Sequence, residues 1–110
     1  MPLVRVSNGG SAIIDYYTYS NLAYSVSITI PNDLLNATIV YVVTTETTQV
    51  ELHPTLPSYD TVLYSSGQQS IGRGRIAIYC FDKIYAGTVS CYGYSSGNNK
   101  CRIVVSGTKA

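Results

Sequence analysis

A chain of 110 residues is long enough for one domain with a packed core, and nothing in it marks a linker, a repeat or a second unit, so residues 1–110 read as a single domain. Valine (11), isoleucine (10), threonine (11) and tyrosine (11) dominate while glutamate, lysine and methionine are scarce, a balance that suits strands and not helices. Charged residues make up 12% and the formal net charge is +1, a balance that argues against nucleic-acid binding, which needs a basic stripe, and against attachment to an anionic membrane by charge.

In chain order, Met1–Val6 reads as a strand and not as a secretory leader, and no run is long enough to cross a bilayer. Synthesis in the cytoplasm without a signal peptide is therefore the expectation. Asn8-Gly9-Gly10-Ser11 is a turn, and Ile13 to Tyr19 is extended. Tyr24 to Ile30 alternates, with Tyr24, Val26, Ile28 and Ile30 on one face and Ser25, Ser27 and Thr29 on the other, until Pro31 stops it. Asn32 to Asn36 suits one helical turn with Leu34 and Leu35 tucked inward. Thr38 to Thr45 holds a continuous β-branched run, Ile39-Val40-Tyr41-Val42-Val43, which predicts a central strand covered on both faces.

Glu46-Thr47-Thr48 turns into a strand from Gln49 to His53, and Pro54 and Pro57 fix an irregular connection. Ser58 to Tyr64 is the next strand, and Ser65 to Gly74 reads as the longest polar loop. Arg75 to Phe81, Thr88 to Tyr92 and Lys100 to Val105 then form a closing meander. The total is eight or nine short, mostly antiparallel strands. That predicts an all-β sandwich, immunoglobulin-like or jelly-roll-like, without the tryptophan of the antibody core.

No catalytic set emerges, so the chain reads as a non-enzyme with no catalytic, cofactor-binding or metal-ligating residues. His53 is the one histidine, at a strand end beside Pro54, with no second histidine and no Cys-x-x-Cys pair to hold a metal. Asp15, Asp33, Glu46, Glu51, Asp60 and Asp82 lie singly beside turns, where carboxylates satisfy local backbone donors. Gly72-Arg73-Gly74-Arg75 has backbone amides and guanidinium groups fit for an anion, but neither a Walker motif nor a dinucleotide fingerprint is present. Gln68, Arg73 and Arg75 in that loop are instead candidates for contact with a neighbouring subunit or ligand.

Cys80, Cys91 and Cys101 leave two readings open. A three-residue loop at Ser95-Ser96-Gly97 would set Cys91 opposite Cys101 within disulfide reach. A two-residue turn at Gly97-Asn98 would break that register, and buried free thiols are the default for a cytoplasmic product. Tyrosine is the most unusual feature, eleven against one phenylalanine and no tryptophan. Tyr16, Tyr17 and Tyr19, and Tyr92 and Tyr94, are the clusters expected to meet a partner, because the ring buries large apolar area while its hydroxyl tolerates water.

Met1-Pro2-Leu3-Val4-Arg5-Val6-Ser7-Asn8-Gly9-Gly10, followed by a compact β domain, resembles the small β-rich accessory structural proteins of tailed phages and prophages. The resemblance spans about ten residues and has no diagnostic motif. It implies a virion-associated role, as a capsid decoration, tail or baseplate component. The expectation is a structural protein acting through self-association or within a larger assembly. One alternative is a carbohydrate- or host-surface-binding module using exposed tyrosines with Asn98, Asn99 or Gln68. Another is a small phage-encoded inhibitor of another protein.

Overall fold

The computed structural model describes residues 15–45, 50–94 and 99–110. They form eight strands: β1 (Tyr16–Tyr19), β2 (Ser25–Ile30), β3 (Leu34–Thr44), β4 (Glu51–Pro54), β5 (Val62–Ile71), β6 (Gly74–Ile84), β7 (Gly87–Tyr94) and β8 (Lys100–Lys109). All pairings are antiparallel. Sheet A has the order β1-β8-β3-β6-β5 and sheet B the order β2-β7-β4, so the fold is an all-β sandwich. The expected strand Met1–Val6, the turn at Asn8–Ser11 and the tips at residues 46–49 and 95–98 lie outside the described residues.

The strand order is nested. β1 pairs β8, β2 pairs β7 and β3 pairs β6, as in one long hairpin rolled up on itself, and β8–β3 and β7–β4 close the roll. This is the arrangement of an eight-stranded jelly roll, not of an immunoglobulin domain, with one departure. The innermost pair, β4 with β5, is missing, and β5 instead folds back along β6 at the edge of sheet A. Two side-chain bonds bridge the resulting seam: Gln68 Nε2 donates to Leu52 O at 2.8 Å and Arg75 Nε to Val50 O at 3.1 Å.

Alternation sorts the side chains. Ala37, Ile39, Tyr41 and Val43 of β3 point inward and are buried, with Val26, Ile28 and Ile30 of β2, Ala77 and Phe81 of β6, and Ile103 and Val105 of β8. Tyr41 is the largest of them. Its hydroxyl donates to Thr55 O at 2.6 Å, and its ring meets Tyr79 edge-on at 5.8 Å.

Several expectations are corrected. Asn32 to Asn36 is no helical turn: β3 already begins at Leu34, and Leu35 is exposed while Leu34 is buried. Asn36, at φ 48°, sits where the β3–β8 register shifts, in the left-handed region that asparagine tolerates better than most residues. Ser65 to Gly74 is not a loop. It is most of β5 plus a two-residue turn at Gly72-Arg73, since Ile71 pairs with Gly74. The last three strands are not a meander, because β6 and β8 lie in sheet A and β7 in sheet B. Finally, β3 is central, but the described residues cover it on one face only.

Candidate functional site

The uncovered side of β3 belongs to the outer face of sheet A. Register places Val40 and Val42 of β3 beside Ile78 and Ile76 of β6 and beside Val104 and Arg102 of β8. Tyr17 and Tyr19 of β1 extend this surface past Ser106 and Val104, and Tyr64 of β5 extends it past Cys80. Tyr17, Tyr19 and Tyr64 are 60%, 57% and 54% exposed. Arg102, within this face, is held by its own chain: Nε donates to Ser20 O at 3.0 Å and the guanidinium lies over Tyr19 at 5.1 Å, while Lys100 and Lys83 stand on the same face at its two ends, opposite Thr44 and Leu35. The outer face of a two-layer sandwich is normally polar. The centre of this one is Val and Ile, flanked by Tyr17, Tyr19 and Tyr64 and by a row of Thr38, Cys80 and Ser106.

The outer face of sheet B is the opposite. Ser25, Ser27 and Thr29 of β2 and Thr88 and Ser90 of β7 give it hydroxyls. At one end a row of rings crosses the three strands. Tyr92 stacks on His53 at 4.8 Å and 16° and faces Tyr24 at 6.4 Å, while Tyr94 meets His53 nearly perpendicular at 6.4 Å. His53 Nε2 lies 3.1 Å from Glu51 Oε1, two residues away on the same face of β4. Because His53 and Tyr24 flank β7 from opposite sides, Tyr92 has both ring faces occupied, and the row knits the sheet together.

The predicted contact residues thus separate. Tyr16 packs toward the core, whereas Tyr17 and Tyr19 stand on the outer face of sheet A, 6.0 Å apart. Tyr92 and Tyr94 belong to the sheet B row. Gln68 and Arg75 are engaged within the chain at the β4–β5 seam, Arg73 is exposed at the β5–β6 turn with its carbonyl accepting from Val50 N, and Asn99 is buried. Asn98 lies outside the described residues. Tyr24, expected on the buried side of its strand, is 50% exposed on the wet one, and His53 lies next to the last residue of β4, Pro54.

All three cysteines are free. Cys91 and Cys101 are not hairpin neighbours, since β7 and β8 lie in different sheets. Their side chains meet across the sandwich instead. The Cys91 thiol is held protonated, its pKa pushed up by its hydrogen bond with Cys101 and by burial. Cys80 alone faces outward, its sulfur 3.6 Å from Thr38 Oγ1 on the apolar side of sheet A. Among the described residues no three His, Cys, Asp or Glu side chains are placed to hold a metal ion.

Three aspartates satisfy backbone donors: Asp82, within β6, accepts at Oδ1 from Thr61 N and Lys83 N, Asp33 Oδ1 accepts from Ala86 N, and Asp15 Oδ1 from Lys109 N; Glu51 lies in β4, and Glu46 is outside the described residues. Searches of protein-family models, of curated proteins and of solved structures find no match to the chain.

The residues that sequence reasoning missed are Val40, Val42, Ile76, Ile78 and Val104. Their signal was present in the unbroken run Ile39–Val43, which asks for cover on two sides.

Proposed function

We propose that this chain is a non-enzymatic structural subunit that works through self-association or by incorporation into a larger protein assembly. The observation that carries the reading is the Val and Ile centre of the outer face of sheet A, where Arg102 is held by its own chain and Lys83 and Lys100 stand only at the two ends. Contiguous apolar surface of that kind marks a contact site. The low charge of the whole chain agrees, because a domain that must stay alone in solution keeps a charged surface. The jelly-roll order and the N-terminal resemblance support a virion-associated setting, as capsid decoration, tail or baseplate; jelly rolls serve in viral capsids and also in lectins.

Size-exclusion chromatography with light scattering tests the reading. The expected result is a mass above that of the monomer, moved toward the monomer by Ile78→Lys. A monomer at every concentration, unchanged by the variant, overturns self-association. The aromatic row on sheet B supports a second reading as a carbohydrate-binding module, with Tyr94, 62% exposed, as its most accessible ring. Titration of tyrosine fluorescence with simple sugars and a glycan array tests it, and a flat response at millimolar sugar removes it.

A further inference from the structure

We propose that the partner on the outer face of sheet A is a second copy of this chain, packed sheet to sheet about a two-fold axis with the two copies running in opposite directions. The inference rests on the reading of that face as the assembly surface, and it adds the identity and orientation of the occupant.

Area comes first. Five strands about 4.8 Å apart, the longest about 33 Å in length at about 3.3 Å per residue, give a footprint of about 700 Å². Side-chain relief raises the accessible area toward the ~800 Å² per partner of a stable protein interface. Valine and isoleucine on flat strands are also what two sheets need to close to about 10 Å. A two-fold contact requires one patch to fit itself, and a sheet face with an apolar centre and its charges toward the ends meets that condition.

Charge then selects a second copy and its direction. Register defines the two ends of the sandwich, one where Leu34, Ile84 and Lys109 meet and one where Thr44, Lys100 and Gly74 meet. Asp15, Asp33, Asp60 and Asp82 all lie toward the first end, against Lys83 and Lys109, a balance of −2. Arg73, Arg75, Lys100 and Arg102 lie toward the second, against Glu51, a balance of +3 among the described residues with His53 left out of the count.

Copies running in opposite directions set the aspartate-rich end of each beside the arginine-rich end of the other, twice over. Copies running in the same direction would set like beside like. With the axis crossing the strands at Val40, the two Arg102 residues, each paired with Val42 two positions away, stand about 14 Å apart along the strands. At that spacing their repulsion is screened.

Two measurements on the unaltered chain test this. Cys80 is the one cysteine on the face, so its reaction with a bulky maleimide is expected to slow by about tenfold or more as rising concentration depletes the free monomer. Carbodiimide coupling followed by mass spectrometry is expected to join Lys100 to Asp33, Asp60 or Asp82. Within one chain Lys100 and these aspartates lie about 25–35 Å apart along the strands, so such a link joins two copies and is out of reach for copies packed sheet to sheet in parallel. A dimer in which Cys80 reacts at full rate and no such link forms overturns this interface while leaving self-association standing. A monomer at every concentration overturns both, whether Cys80 reacts freely or is protected by the chain's own residues. A dimer with protected Cys80 but without the link overturns the antiparallel arrangement.

Discussion

Tyr41 shows what one buried side chain holds in place. Its hydroxyl satisfies Thr55 O in the irregular stretch after β4, so Tyr41→Phe removes one hydrogen bond and leaves that carbonyl short of a partner. The expected cost is about 1–2 kcal/mol, read as a fall of several degrees in the thermal midpoint. Burial, and then Cys91 and Tyr79, push the phenol above its ordinary 10.0. The folded state therefore keeps a proton that the unfolded chain releases. Stability from this source is intact below pH ~10 and is lost as pH rises beyond it, and Tyr41→Phe should flatten that part of an alkaline melting series.

At the same scale, Cys91 and Cys101 are shut in the core, so the dilute native chain should take up one alkyl group, at Cys80, and the denatured chain three. Uptake at Cys91 in the native state would show that the sandwich opens there. Tyrosine's double character was legible in the sequence, but its allocation was not. Tyr16 and Tyr17 are adjacent and indistinguishable by composition, and only the pleat sends one inward and the other out.

Among the elements, β5 was the hardest to read. Gly67, at φ 63°, and two register shifts against β6 break its alternation, so Ser65 to Gly74 carries the composition of a loop while lying in a sheet. β3, β6 and β8 were plain because each alternates over β-branched residues around a buried face. The turn between β5 and β6 is tight: a Cβ on Gly74 would come 2.2 Å from the Val43 carbonyl oxygen, which is backbone and cannot step aside. Gly74→Ala should therefore cost several kcal/mol, seen as a lowered denaturation midpoint. The seam beside β4 is a gentler test. Gln68→Ala removes the bond to Leu52 O, and amide exchange should quicken along β4 while β3 keeps its protection.

For the molecule as a whole, the sandwich and its strand number could be read from the chain, whereas the order of the strands and the bare side of sheet A could not. Periodicity reports which residues share a face, but not whether a second layer of the same chain exists to cover it. Where association depends on oppositely charged ends, raising salt from ~50 mM to ~0.5 M should slow it much more than it speeds dissociation, as stopped-flow mixing would reveal. The nested strand order has a bearing on synthesis as well. β8 stands between β1 and β3, so neither can complete its ladder until the stretch from Lys100 to Lys109 has left the ribosome. A nascent chain ending before Lys100 should stay open to protease, and this domain is expected to fold only once β8 has emerged, in a single late step.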